Sequence, residues 1–125
     1  WNSAQAARRS IYRVVWRGIP DPFMEALDFP DLGLLTPKRT SSVSSLQSLA
    51  LFNNNFVLHS SQWLSDRAKK EHQNLDSQIH RLIELLWLRP PNSKEKTLFK
   101  TYAQQHGLSA LCRILINSNE FLFIE

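Results

Sequence analysis

From residue 40 onward, apolar positions return every three or four residues, which is the period of a helix and not of a strand. Thr40-Ser41-Ser42 offers hydroxyls suited to capping a helix, and Val43, Leu46, Leu49, Ala50 and Phe52 follow at helical spacing. Asn53-Asn54-Asn55 can interrupt that helix, because asparagine tolerates left-handed backbone. A second helix is expected over 55–70, with Phe56, Leu64 and Ala68 turned inward and Trp63 beside them. Asn74 caps a third, Asp76 sits where the helix dipole favours a carboxylate, and Leu75, Ile79, Leu82, Ile83 and Leu86 form its apolar stripe. Pro90-Pro91 stops that helix. Asn92 with Glu95 has the spacing of a capping box and opens a fourth helix through Leu98, Phe99, Tyr102 and Ala103. Gly107 is the expected left-handed stop, and a fifth helix runs from about Leu108 to Asn117.

Residues 1–39 follow a different pattern. Ser10 to Trp16 is rich in β-branched and aromatic residues and suits an extended strand. Pro20, Pro22, Pro30 and Pro37 come soon after Gly18, and each removes a backbone donor and disfavours helix in the residue before it. Residues 18–42 are therefore expected to be an extended, loop-rich arm with at most one helical turn, at Phe23–Leu27. Its apolar side chains, Phe23, Leu27, Phe29, Leu32, Leu34 and Leu35, should pack on a neighbouring body. The closing run Phe121-Leu122-Phe123-Ile124 leaves room for a short two-stranded ribbon with residues 10–16. The fold class expected is mainly α: an extended proline-rich N-terminal arm over 1–42 and a body of about five packed helices over 43–125. The two form a single domain or the C-terminal half of a larger one.

Composition narrows the function classes. At 125 residues with 42% apolar and 21% charged side chains, the chain can bury a core of its own. The net charge of +4 is spread over short groups such as Arg8-Arg9, Lys38-Arg39 and Lys69-Lys70. A nucleic-acid surface concentrates such residues on one face, so no nucleic-acid partner is expected. The apolar run Leu82–Leu88 contains Glu84 and falls well short of the roughly 20 residues that span a bilayer, so no membrane span is expected. Cys112 is the only cysteine, which excludes an internal disulfide and a thiolate metal cluster. A start on Trp1, without a charged leader or an apolar segment behind it, is what a piece of a longer chain would show.

No recognised catalytic constellation is present. None of His59, His72, His80 and His106 lies three or four residues from another, so no helical face carries two histidines for zinc. His80 and Glu84 share one helical face and could share a proton, although an exposed hydrogen-bonded pair has the same spacing. Asp21, Glu25, Asp28 and Asp31 crowd the proline-rich arm, where carboxylates commonly cap turns. The serines lack a GxSxG or SxxK setting. Trp1, Trp16, Trp63 and Trp87 could stack on a sugar or another protein, or simply pack. The candidate interaction residues are Trp16, Trp63, His80 and Glu84; no catalytic, cofactor-binding or metal-binding residue is assigned.

Several phrases in order carry a family likeness: Arg9-Ser10-Ile11-Tyr12, Phe29-Pro30-Asp31, Arg39-Thr40-Ser41-Ser42, Leu46 to Asn53 with Phe56-Val57, Leu88-Arg89-Pro90-Pro91, and Leu115 to Glu125. Over residues 8–125 this string resembles the C-terminal half of the planctomycete-type, cytochrome-associated domain of unknown function, the PSD-one type. Ser41-Ser42 and Ser45 stand where that family would have Thr and Pro.

The resemblance implies a large exported protein, periplasmic or secreted, in which an N-terminal half precedes this chain. In such families the full protein is often joined to a cytochrome-c-like domain, so that any haem would lie elsewhere in the full-length protein and no cofactor belongs to this chain. The partners expected are that missing half or other domains of the same protein, with polysaccharide as a further candidate. The function expected is a non-catalytic structural or interaction segment. The second reading is part of a redox or polysaccharide-degrading assembly whose active groups lie mostly outside this chain.

Overall fold

Burial of one stripe on each helix decides the architecture. The computed structural model describes residues 12, 18–19, 21–30, 35 and 44–123, and contains seven helices among them. They are α1 (Pro22–Ala26), α2 (Ser45–Asn53), α3 (Asn55–Glu71), α4 (Leu75–Trp87), α5 (Ser93–His106), α6 (Leu108–Ile116) and α7 (Asn119–Leu122). The chain divides into two compact units, residues 1–54 and residues 55–125. The mainly helical class is as the periodicity indicates. The strand expected over 10–16, and with it Trp16 and the Thr40–Ser42 hydroxyls, falls mostly or wholly outside the described residues. At the other end of the expected ribbon the chain is helical, because Phe121 and Leu122 belong to α7.

In the first unit, α1 begins where Asp21 accepts hydrogen bonds from the Phe23 and Met24 amides and Pro22 takes the first helical position. The carboxylate thus acts as a cap. The cap of α2 is Ser44, further along than the hydroxyl group expected. Its Oγ accepts from the Gln47 amide, while Gln47 Oε1 accepts from the Ser44 amide. Gln47 Nε2 also donates to Asp28 at 2.7 Å, which joins the turn after α1 to the start of α2.

The second unit is built around α6. Leu108, Leu111, Cys112, Leu115 and Ile116 of α6 are buried at the spacing of one helical face. That helix packs on α3, α4, α5 and α7. The face α3 buries is made of Val57, Ser61, Ser65 and Ala68. The small side chains on that face let the two helix axes approach closely. Phe56, expected inside, is exposed, because a small-residue stripe and not an aromatic one meets α6. Ser61 satisfies its hydroxyl by donating to Val57 O at 2.8 Å. From α4 come Ile79, Leu82, Ile83 and Leu86, the stripe read from the sequence apart from a half-buried Leu75. From α5 only Ala103 is fully buried, while Leu98 points outward.

In the second unit, two positive-φ residues set the turns. Gly107 (φ 87°, ψ 160°) joins α5 to α6 in a region that essentially only glycine populates, although a side chain there would meet no atom within 4 Å. Leu88 caps α4 in the left-handed region (φ 56°, ψ 23°), where the sequence reading relied on Pro90-Pro91 for the stop. Its side chain is 88% exposed, so the conformation costs about 1 kcal/mol with little burial to offset it. Opposite outcomes are expected at these sites. Gly107→Ala lowers stability by about 1–3 kcal/mol from backbone strain alone, and Leu88→Gly raises it by about 1 kcal/mol. Chemical denaturation of both variants checks the pair of signs.

Candidate functional site

The second unit carries two charged constellations, and the first includes three residues singled out by sequence. Trp63 projects from α3 with 63% of its surface exposed, and the Arg67 guanidinium carbon lies 5.9 Å from its ring centroid. Arg67 Nε donates to Glu71 Oε1 at 2.8 Å, and Arg81 Nε from α4 donates to Glu71 Oε2 at 2.8 Å. Arg81 also reaches Glu84 at 3.5 Å, whose other oxygen lies 3.3 Å from His80 Nε2. Trp63, His80 and Glu84 thus lie along one exposed line across α3 and α4, connected by Arg67, Glu71 and Arg81. Sequence spacing showed the two ends of this line and missed Glu71, whose link to Arg81 crosses the α3–α4 turn. Trp16 lies outside the described residues.

The Arg67 and Arg81 guanidiniums hold the Glu71 carboxyl below its ordinary range, so it is ionised and committed to its partners. Among the described residues, no three His, Cys, Asp or Glu side chains group as a metal site would require. Cys112 is buried, and that burial pushes its thiol up to about 12, which removes it as a nucleophile near neutral pH.

The denser constellation surrounds Arg89, which sequence reading did not select. Arg89 Nη1 and Nη2 donate to the two oxygens of Glu95 at 2.8 and 2.7 Å. Nε and Nη2 donate to the two oxygens of Glu120, the second at 3.0 Å, and Nη1 also donates to Pro90 O at 3.1 Å. These bonds use all five N–H groups of a guanidinium. The guanidinium carbon also lies 4.9 Å from the Trp87 ring centroid.

Trp87 is itself held on both sides. Its indole Nε1 donates to Ser118 Oγ at 2.8 Å, and its ring meets Phe99 edge-on at 5.8 Å. Glu95 was visible as half of a capping box, and Asn92 and Glu95 do form one. Its pairing with Arg89, and that of Glu120 from 31 residues away in sequence, left no periodic trace.

The sequence model of PSD1, described as a protein of unknown function (DUF1553), matches residues 1–103. The match begins before and ends earlier than the 8–125 range of the resemblance, stopping inside α5 and leaving α6 and α7 beyond it. No curated protein and no solved structure matches the chain.

Arg89, and after it burial and the Asn92 amide, place the Glu95 pKa at about 2 against an ordinary 4.5, with burial acting in the opposite direction to the other two. Because the folded value is the lower one, the stabilisation is complete above pH 4.5 and is lost as pH falls from 4.5 toward 2. The melting temperature should decline through that window, and Glu95→Gln should flatten part of the decline. Glu71, depressed by its own arginines, supplies a remaining slope. Thermal melts of both proteins between pH 2 and pH 6 measure the difference.

Proposed function

Because the chain belongs to the PSD1 family of proteins of unknown function (DUF1553), we propose that it acts as a non-catalytic structural and interaction segment of a larger exported protein. The observation that carries this reading is the contrast between its charged and apolar surfaces. The charged clusters are occupied by one another, with the guanidiniums of Arg67, Arg81 and Arg89 bound to carboxylates. Large apolar side chains, by contrast, face outward. Leu46 and Leu49 are 64% and 58% exposed at a spacing of three on α2. A helix that presents leucines in this way has a face suited to burial against another element. The cover expected is another part of the same protein, such as an N-terminal half of the family's domain. Haem, where the full-length protein has one, would sit in a different domain. No helix among the described residues is long and apolar enough to cross a membrane.

A second reading is favoured by Trp63 alone. An exposed indole beside Arg67, with Gln62 and Asp66 hydrogen-bonded to each other nearby, has the amphipathic character of a surface that stacks on sugar rings. On this reading the segment contributes to a polysaccharide-degrading or redox assembly whose active groups lie mostly elsewhere.

Amide exchange separates the two readings. If α2 is covered in the intact protein, its Ser48 and Asn54 amides should exchange at least about tenfold more slowly there than in this segment alone. Equal rates would remove the interaction reading, as would substrate turnover by the segment unaided. Trp63→Ala or Glu84→Ala in the intact protein should leave both activity and melting temperature nearly unchanged. Lost activity at an unchanged melting temperature would favour the second reading.

A further inference from the structure

The Arg89 constellation is asymmetric, and the asymmetry has a mechanical consequence. One of its carboxylates is fixed. Glu95 belongs to the 14-residue α5, its side chain is 19% exposed, and it also accepts from the Asn92 amide in the capping box. The other carboxylate, Glu120, belongs to α7, a helix of four residues with no buried residue, and its side chain is 40% exposed. A helix this short has no stability of its own, since nucleation alone is unfavourable. Phe121, Leu122 and Phe123 remain 40%, 36% and 54% exposed, so apolar burial holds it only in part.

The specific bonds that hold α7 are polar. Glu120 accepts two hydrogen bonds from Arg89, and Ser118, which precedes α7, accepts from the Trp87 indole while donating to Leu115 O at 2.6 Å. Exposed ion pairs of this kind each contribute about 1 kcal/mol or less. The helices beneath are held differently, by the full burial of Leu82, Ile83, Leu111 and Leu115.

We infer that α7 is a strap, clipped to the body by Arg89–Glu120 and Trp87–Ser118, that opens as a unit of its own while α3–α6 stay folded. On opening, Arg89 keeps its two bonds to Glu95 and its stack on Trp87, so its Nε and Nη2 remain aimed outward, ready to recapture a carboxylate. Opening breaks the Trp87–Ser118 bond, leaves the indole N–H only its longer 3.4 Å bond to Leu115 O, and frees the Phe121–Phe123 side chains. The fixed half of the clip acts as a preformed receptor and the mobile half as its resident ligand. The strap therefore closes without rearrangement of the body.

Native-state hydrogen exchange followed by NMR tests this on the intact chain. The Leu122 and Phe123 amides, bonded to Ser118 O and Asn119 O, should exchange at least about a hundredfold faster than the Leu82 and Leu115 amides. Glu120→Gln should speed the α7 amides a further fivefold or so without changing the core set. In the unaltered protein, about 1 M salt should likewise speed only the α7 amides, because screening weakens exposed pairs. The inference is overturned if the α7 amides exchange at the core rate. It fails equally if Glu120→Gln leaves α7 unchanged or speeds both sets together.

Discussion

The fit of α6 against the small-residue face of α3 is the constraint on which the rest of the helical unit depends. Leucines and isoleucine from α6 need a flat surface, and Ser61, Ser65 and Ala68 provide one by keeping side chains short along one face of α3. A larger residue at Ala68 would push α6 outward and take with it the contacts α6 makes to α4 and α5. Ser65 shows what this fit costs, since its Oγ is buried with no hydrogen-bond partner among the described residues. An unsatisfied buried hydroxyl opposes folding by about 1–3 kcal/mol, and close helix packing offsets it.

Among the described residues the core is apolar apart from those serines, and the charges lie outside it, where several of them pair. The Arg67–Glu71–Arg81–Glu84 line ties the outer sides of α3 and α4 together. Arg89 ties the end of α4 to the start of α5 and to α7. Both arrangements hold helix ends in place. Leu88 is part of the same design. A left-handed residue at the end of α4 turns the chain sharply enough for Arg89, its neighbour, to lie over the Trp87 ring of the preceding turn.

Family membership adds no chemistry to this picture, because the PSD1 family is itself described only as of unknown function. It does bear on where the fold's organisation resides. The matched region ends at residue 103, yet five of the buried core residues, from Leu108 to Ile116, come after it. In this chain the segment beyond the match therefore completes the core beneath the matched helices, and α7 rests on that segment and on α4.

The sequence by itself determined the helices. Period-3.6 stripes on α4 and α6, the Asn74 cap, the Asn92–Glu95 capping box and the break at Gly107 are local features, set by residues within a turn or two of each other, and the folded chain keeps them. The outward placement of Phe56 and Leu98 was decided only on folding, because burial depends on which neighbour arrives and not on a residue's own hydrophobicity. The candidate site divides the same way. His80–Glu84 is a one-turn pair and could be read from spacing, whereas Glu71–Arg81 and Arg89–Glu120 join residues 10 and 31 positions apart. No periodicity records such pairs, since only the packing of α3, α4, α6 and α7 brings their ends within hydrogen-bonding distance.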